Sequence, residues 1–148
     1  MAHALRKIDT PNILFFLGIL IGIAALQSTG ILASLAQWLT TTLRDDNLII
    51  ISLGLLSAII DNVPLVAAVQ GMYDLSQYPT DHYFWEFLAY STGAGGSTLI
   101  IGSAAGVVAM GMEKISFFWY LKKISLLALL GYFAGAITYI LQHQIFGL

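Results

Sequence analysis

Cysteine is absent from the 148 residues, which removes disulfide frameworks, thiolate metal sites and cysteine nucleophiles. Charge is scarce. Asp, Glu, Lys and Arg make up 9% of the chain, against about 25% in a soluble domain, too few to cover a water-facing surface. With 58% hydrophobic residues and mean hydropathy +0.84, disorder is excluded as well. A net charge of −2 provides no basic footprint, so nucleic acid is not an expected partner. What the chain does have is apolar runs far longer than the roughly 9–11 alternating residues of a barrel strand. The expected fold class is therefore all-α and integral to a lipid bilayer.

The few charges are clustered. Arg6, Lys7 and Asp9 open the chain, Arg44, Asp45 and Asp46 follow, then Asp74, Asp81 and Glu86, then Glu113, Lys114, Lys122 and Lys123. Asp61 stands alone, with no other charged residue from Asn47 to Tyr73. The gaps between clusters are the membrane segments. Residues 12–43 read as a span started by Pro11, then a break at Thr29-Gly30 and an interfacial helix carrying Trp38. Residues 48–72 are apolar but interrupted by Asp61-Asn62-Val63-Pro64, and residues 86–112 by the Gly-rich run from Ser91 to Thr98. Residues 124–142 read as an uninterrupted span. No cleaved signal is expected, because the first apolar run is too long for one.

Counting Lys and Arg chooses the topology. If every gap crosses, two basic residues lie inside and four outside. If residues 48–72 form a re-entrant hairpin, five of the six lie inside, and the stretch Asp74–Glu86, which has no Lys or Arg, falls outside. The expectation is about three transmembrane segments plus one re-entrant hairpin, one of the segments being a broken helix. The N-terminus is then cytoplasmic and the C-terminus external. So lopsided a charge distribution also argues against two antiparallel copies of the chain.

An Asp at mid-membrane costs roughly 2.5–3.5 kcal/mol on insertion scales, so a cation or proton is expected to offset it. The Asp61 carboxylate and Asn62 amide oxygen are hard ligands suited to an alkali cation, and Pro64 marks the hairpin break. The plainer reading is a wet loop tip with Asp61 capping the next helix. Gly95, Gly96, Ser97, Thr98 and Ser103 would supply carbonyls and hydroxyls from an unwound segment. The plainer reading there is close packing through small residues. No Gly-Lys-Ser/Thr follows, so this is not a phosphate loop. Gly18/Gly22, Gly102/Gly106 and Gly131/Gly135 read as helix-packing pairs. His3, His82, His143, Tyr78, Tyr83, Trp85 and Trp119 read as interface anchors.

Ser57-Ala58-Ile59-Ile60-Asp61-Asn62-Val63-Pro64-Leu65-Val66, followed by Gly95-Gly96-Ser97-Thr98-Leu99-Ile100-Ile101-Gly102-Ser103-Ala104-Ala105-Gly106, resembles the NhaD-type sodium/proton antiporters of the ion transporter superfamily. The resemblance implies a repeat with a re-entrant hairpin and then a broken helix. Asp61-Asn62-Val63 takes the hairpin-tip position, where carriers have Ser-Asn-Thr, and Ile101–Gly106 the ligand segment of the broken helix. Asp61 and Val63 replace hydroxyl residues, and Gly106 stands where many carriers have Asn. Both departures favour a cation-only site over a dicarboxylate.

The resemblance also implies that residues 1–148 form a single membrane domain, the C-terminal half of an antiporter. The N-terminal repeat, or a second chain supplying it, is then an expected partner, within an oligomer in a bacterial inner membrane. The implied function is exchange of sodium or lithium for protons, with no cofactor and no enzymatic reaction. The alternatives are a transport-inactive fragment or accessory subunit, and a carrier for arsenite or a dicarboxylate.

Overall fold

The computed structural model describes residues 10–147. The expectations for His3, Arg6, Lys7 and Asp9 fall outside the described residues. Within them the chain is helical, and no strand forms. Helix α1 (Thr10–Ser28) stops at Gly30, whose φ of 75° suits glycine and turns the chain. Helix α2 (Ile31–Leu43) leaves at 73° to the second half of α1. It buries Leu32, Ala36 and Leu39, a helical spacing that makes one apolar stripe.

The Asp45 carboxylate accepts the Leu48 N–H at 3.1 Å and starts α3 (Asp46–Leu56). A turn at Ser57–Ile60 reverses the chain, and α4 (Asn62–Met72) runs back. Each arm has 11 residues, about 16 Å of helix, or half of a hydrocarbon core of about 30 Å. The open ends of the two arms share one end of the molecule. The Tyr78 hydroxyl, in the loop after α4, donates to Asp46 Oδ1 at 2.9 Å. The Tyr83 hydroxyl donates to Asn47 Oδ1 at 2.8 Å.

Helix α5 (Tyr83–Gly95) then enters from that end. Two 3-10 turns, Gly96–Thr98 and Ile100–Gly102, break it before α6 (Ala104–Met112) continues. The interruption therefore starts later than the glycines predict, because Gly93, Ala94 and Gly95 are still helical. Glycine permits unwinding without forcing it. A short helix α7 (Phe117–Lys123) leads into α8 (Ser125–Phe146). Among the described residues α8 is the one helix that is by itself long and apolar enough to cross a membrane, and α1 with α2 qualifies as a bent pair.

The core centres on α3, α4, α5 and α8. Ile49, Ile50 and Leu53 of α3 pack with Phe84, Phe87 and Leu88 of α5. Stacked rings join α5 to α8: Phe87 and Tyr139 lie 5.1 Å apart at 6°. Tyr78 is a core residue rather than an interface anchor, because its ring stacks on Phe84 at 4.2 Å and its hydroxyl has found Asp46. His82 caps α5, its Nδ1 accepting the Phe84 N–H at 3.1 Å. The packing pairs divide. Gly135 closes on the Tyr90 ring, whereas Gly18, Gly22 and Gly131 have no atom near the position a side chain would take.

Candidate functional site

The turn of the hairpin and the break after α5 meet in mid-molecule, and small residues let their backbones touch. A methyl group built at Gly54 would lie 2.7 Å from the Ser91 carbonyl oxygen. One built at Gly95 would strike the Gly54 carbonyl oxygen. At Gly102 it would lie 2.8 Å from each of the Ser57 and Ala58 carbonyl oxygens, and would also strike that of Gly96. Carbonyl oxygens from the hairpin turn and the break thus converge on one point, near the C-terminal ends of α3 and α5. Helix C-termini carry partial negative charge, so the local field there favours a cation.

The last carbonyls of α3 are accounted for. Leu53 accepts from Ser57 N, Leu55 from Ala58 N, and Leu56 from Ile59 N and Ile60 N. The Ser57 hydroxyl lies 2.6 Å from the Gly54 carbonyl oxygen and 2.8 Å from that of Thr92 on α5, so its single proton serves both. Ser57 is fully buried and ties the hairpin to the broken helix. Ser57→Ala leaves the Gly54 carbonyl without that donor, and a stability loss of about 1–3 kcal/mol is expected. Denaturation in mixed micelles measures it, and an unchanged midpoint would show that the hydroxyl does not hold the two elements together.

Asp61 caps α4, its Oδ1 accepting the Val63 N–H at 3.4 Å. Asp61 and Asn62 are both half-buried. Pro64 falls in the first turn of α4, just after the break, where a helix makes no use of the N–H that proline lacks. Among the described residues no hydrogen bond joins the Asp61 or Asn62 side chain to Ser97, Thr98 or Ser103. What the fold brings against the break is the backbone of Ser57 and Ala58, three to four positions earlier.

Gly95, the last residue of α5, and Gly96, the first of the break, are buried. The Thr98 hydroxyl oxygen is buried with no hydrogen-bond partner among the described residues. Ser97 is exposed, and its carbonyl accepts the Tyr120 hydroxyl of α7 at 2.8 Å. Ser103 caps α6, its Oγ accepting the Gly106 N–H at 3.0 Å. At Gly106 a side chain would strike the Ile100 carbonyl oxygen.

The contributions of Gly54, Thr92 and Tyr120 escaped the sequence. None carries charge or a special spacing, and each matters through a partner 23 to 41 positions away. The nearest signal was the small-residue run Ser91–Gly96, which implies close approach without saying to what.

At the open end of the α3–α4 pair, burial and the hydrogen bond to Asp46 push the Tyr78 phenol up to about 12. It therefore stays a neutral donor at physiological pH. A cavity of about 670 Å³ beside this loop is lined by Gln70, Asp81, Trp85 and Glu86, among others.

The family profile described as "Citrate transporter" matches residues 1–86, more than half of the chain. The chain belongs to this citrate-transporter family. Sodium/proton antiporter 1 of Arabidopsis thaliana is 51% identical over 143 residues, covering 97% of this chain and 25% of that protein. Sodium/proton antiporter 2 of the same plant is 50% identical over 144 residues, covering 97% of the chain and 34% of that protein. The Na(+)/H(+) antiporter NhaD of Alkalimonas amylolytica is 36% identical over 118 residues, covering 78% of the chain and 23% of that protein. The chain thus spans about a quarter to a third of these relatives. No solved structure matches it.

Proposed function

We propose that this chain is one repeat of a secondary transporter that exchanges sodium, or lithium, for protons. The cation sits between the hairpin tip at Asp61-Asn62 and the broken helix from Gly95 to Ser103. Carbonyl oxygens of Ser57 and Ala58 contribute from the turn. The observation that carries the reading is the half-identical match, over nearly the whole chain, to proteins named sodium/proton antiporters. The convergence of carbonyl oxygens at the C-terminal ends of α3 and α5 supports it, as does the buried Thr98 hydroxyl without a partner. The remaining repeat, on the same or another chain, completes the transporter and is expected to bring it into an oligomer.

In this reading α3 and α4 form a re-entrant hairpin entering from the external face of an inner membrane, with a cytoplasmic N-terminus. Half-length arms with a shared open end support that arrangement. At the turn, Ser57 and Ala58 are buried against protein, whereas Ile59 and Ile60 beyond them are exposed and need cover from the remaining repeat or from water, because hydrocarbon cannot satisfy the backbone there. Cysteine introduced at Ser76, in a chain without native cysteine, is expected to react with impermeant reagent from outside only. Labelling solely from the cytoplasmic side would rule out the hairpin.

The family's citrate description favours a second reading, an organic-anion carrier. At Gly106 the Ile100 carbonyl fills the place of any side chain, which works against a substrate-binding residue there. Proton flux into vesicles distinguishes the two. The chain assembled with the rest of a full-length relative should drive protons in response to a sodium gradient, and citrate should leave the rate unchanged. Flux that follows citrate and ignores sodium would establish the carrier instead.

A further inference from the structure

The segment from Met112 to Lys123 connects the end of α6 to the start of α8, opposite the acidic end of the molecule. That acidic end holds Asp45, Asp46, Asp74, Asp81 and Glu86 with Arg44, whereas this connector holds Lys114, Lys122 and Lys123 against Glu113 alone. All three lysines are exposed. Large apolar side chains are exposed with them: Met112 at 76%, Phe118 at 69% and Trp119 at 49%. The inner side of α7 is fixed. Phe117 and Tyr120, three positions apart, turn inward, and Tyr120 is held by the Ser97 carbonyl. Phe118 and Trp119 are therefore held outward by a pinned helix. Lys122 and Lys123 lie immediately before Ser125, where the spanning helix α8 begins.

We infer that α7 and Lys114 form a binding surface for anionic phospholipid headgroups in the leaflet at this end. The occupant follows from the pairing of chemistries. Aromatic rings beside the start of an apolar span belong at the boundary between headgroups and acyl chains. Lysines within a turn of them meet the phosphate layer, where anionic lipid attracts basic side chains. A soluble acidic protein would neutralise the lysines but leave Phe118 and Met112 facing it without cover. Free phosphate would make no use of them. The surface is independent of the exchange reaction, and so is its test.

The test is the association of spin-labelled phosphatidylglycerol, relative to phosphatidylcholine, with the 148-residue chain in mixed vesicles of the two lipids. A preference of about threefold or more for phosphatidylglycerol is expected at low salt. It should fall toward unity in molar salt, where the screening length shrinks to about 3 Å. The triple variant Lys114→Gln, Lys122→Gln, Lys123→Gln should lose the preference, and the corresponding triple arginine variant should keep it. Arg44→Gln, at the opposite end, should change nothing. Equal association of the two lipids with the unaltered chain would overturn the inference, as would a preference that survives the glutamine variant. Helicity measured by circular dichroism confirms that each variant is folded when compared.

Discussion

Asp61→Asn is expected to reduce sodium affinity in the assembled transporter by about a hundredfold or more, while membrane abundance stays nearly constant. Asparagine keeps the size of the side chain and its capping oxygen, so the bond to Val63 N can survive. What disappears is the charge. Two unit charges about 4 Å apart attract by roughly 4 kcal/mol at an effective dielectric near 20, which leaves room for that loss even after relief of desolvation. Asp61 is the one ionisable residue between Asn47 and Tyr73, so no neighbour in that stretch can take over. Isothermal titration with sodium, on both forms, measures the difference. Unchanged sodium affinity would leave Asp61 a cap and nothing more.

Gly95→Ala is expected to be the most disruptive single-methyl change in the break, and Gly93→Ala, two positions earlier on the same helix, harmless. At Gly95 the new carbon lands on the Gly54 carbonyl oxygen, with the carbonyl carbon at 2.6 Å and Ser57 Oγ at 3.1 Å. Those first two are backbone atoms of α3 and cannot rotate away. The hairpin must separate from α5, and overpacking of this kind costs about 1–3 kcal/mol. At roughly 2–4 °C per kcal/mol, a fall in Tm of about 5 °C is expected in detergent. At Gly93 nothing lies within 4 Å, and alanine is the better helix former by roughly 0.5–1 kcal/mol. Its Tm should hold or rise. Equal melting of the two variants would show that α3 and α5 do not meet through Gly54 and Gly95.

The segment plan was legible in part. The stop at Thr29-Gly30 appears in the structure as a helix boundary, but the interruption read at Asp61–Pro64 falls at residues 57–61, with Asn62, Val63 and Pro64 already in α4, and the one read at Ser91–Thr98 begins only after Gly95. Capping was legible too: Asp61 stands at the head of α4, as the plainer reading of that residue required. The candidate site was legible only in outline. Asp61, Asn62 and the segment Gly95–Ser103 stood out because an isolated acid and a glycine run are visible in one dimension. The groups that press against the break, the Ser57 and Ala58 carbonyls, are backbone atoms, and backbone carries no sequence signal. Tyr78 misled for a related reason. An aromatic beside charged residues reads as an interface anchor, and only folding brought Asp46, 32 positions away, to its hydroxyl.

By itself the sequence determined that the chain is helical, roughly where its long apolar segments lie, and that Asp61 is the isolated acid within them, but it placed two of the breaks in those segments a few residues away from where they fall. Those properties depend on hydration cost, helix length and backbone freedom, all of which act within a few residues. Only the tertiary structure decided that Gly54 meets Gly95, that one Ser57 proton serves two helices and that the carbonyl oxygens of a turn and a break converge. Such contacts depend on which surfaces pack at close range. In a chain this apolar many helix faces look alike, and the few small residues that allow backbones to touch settle the choice.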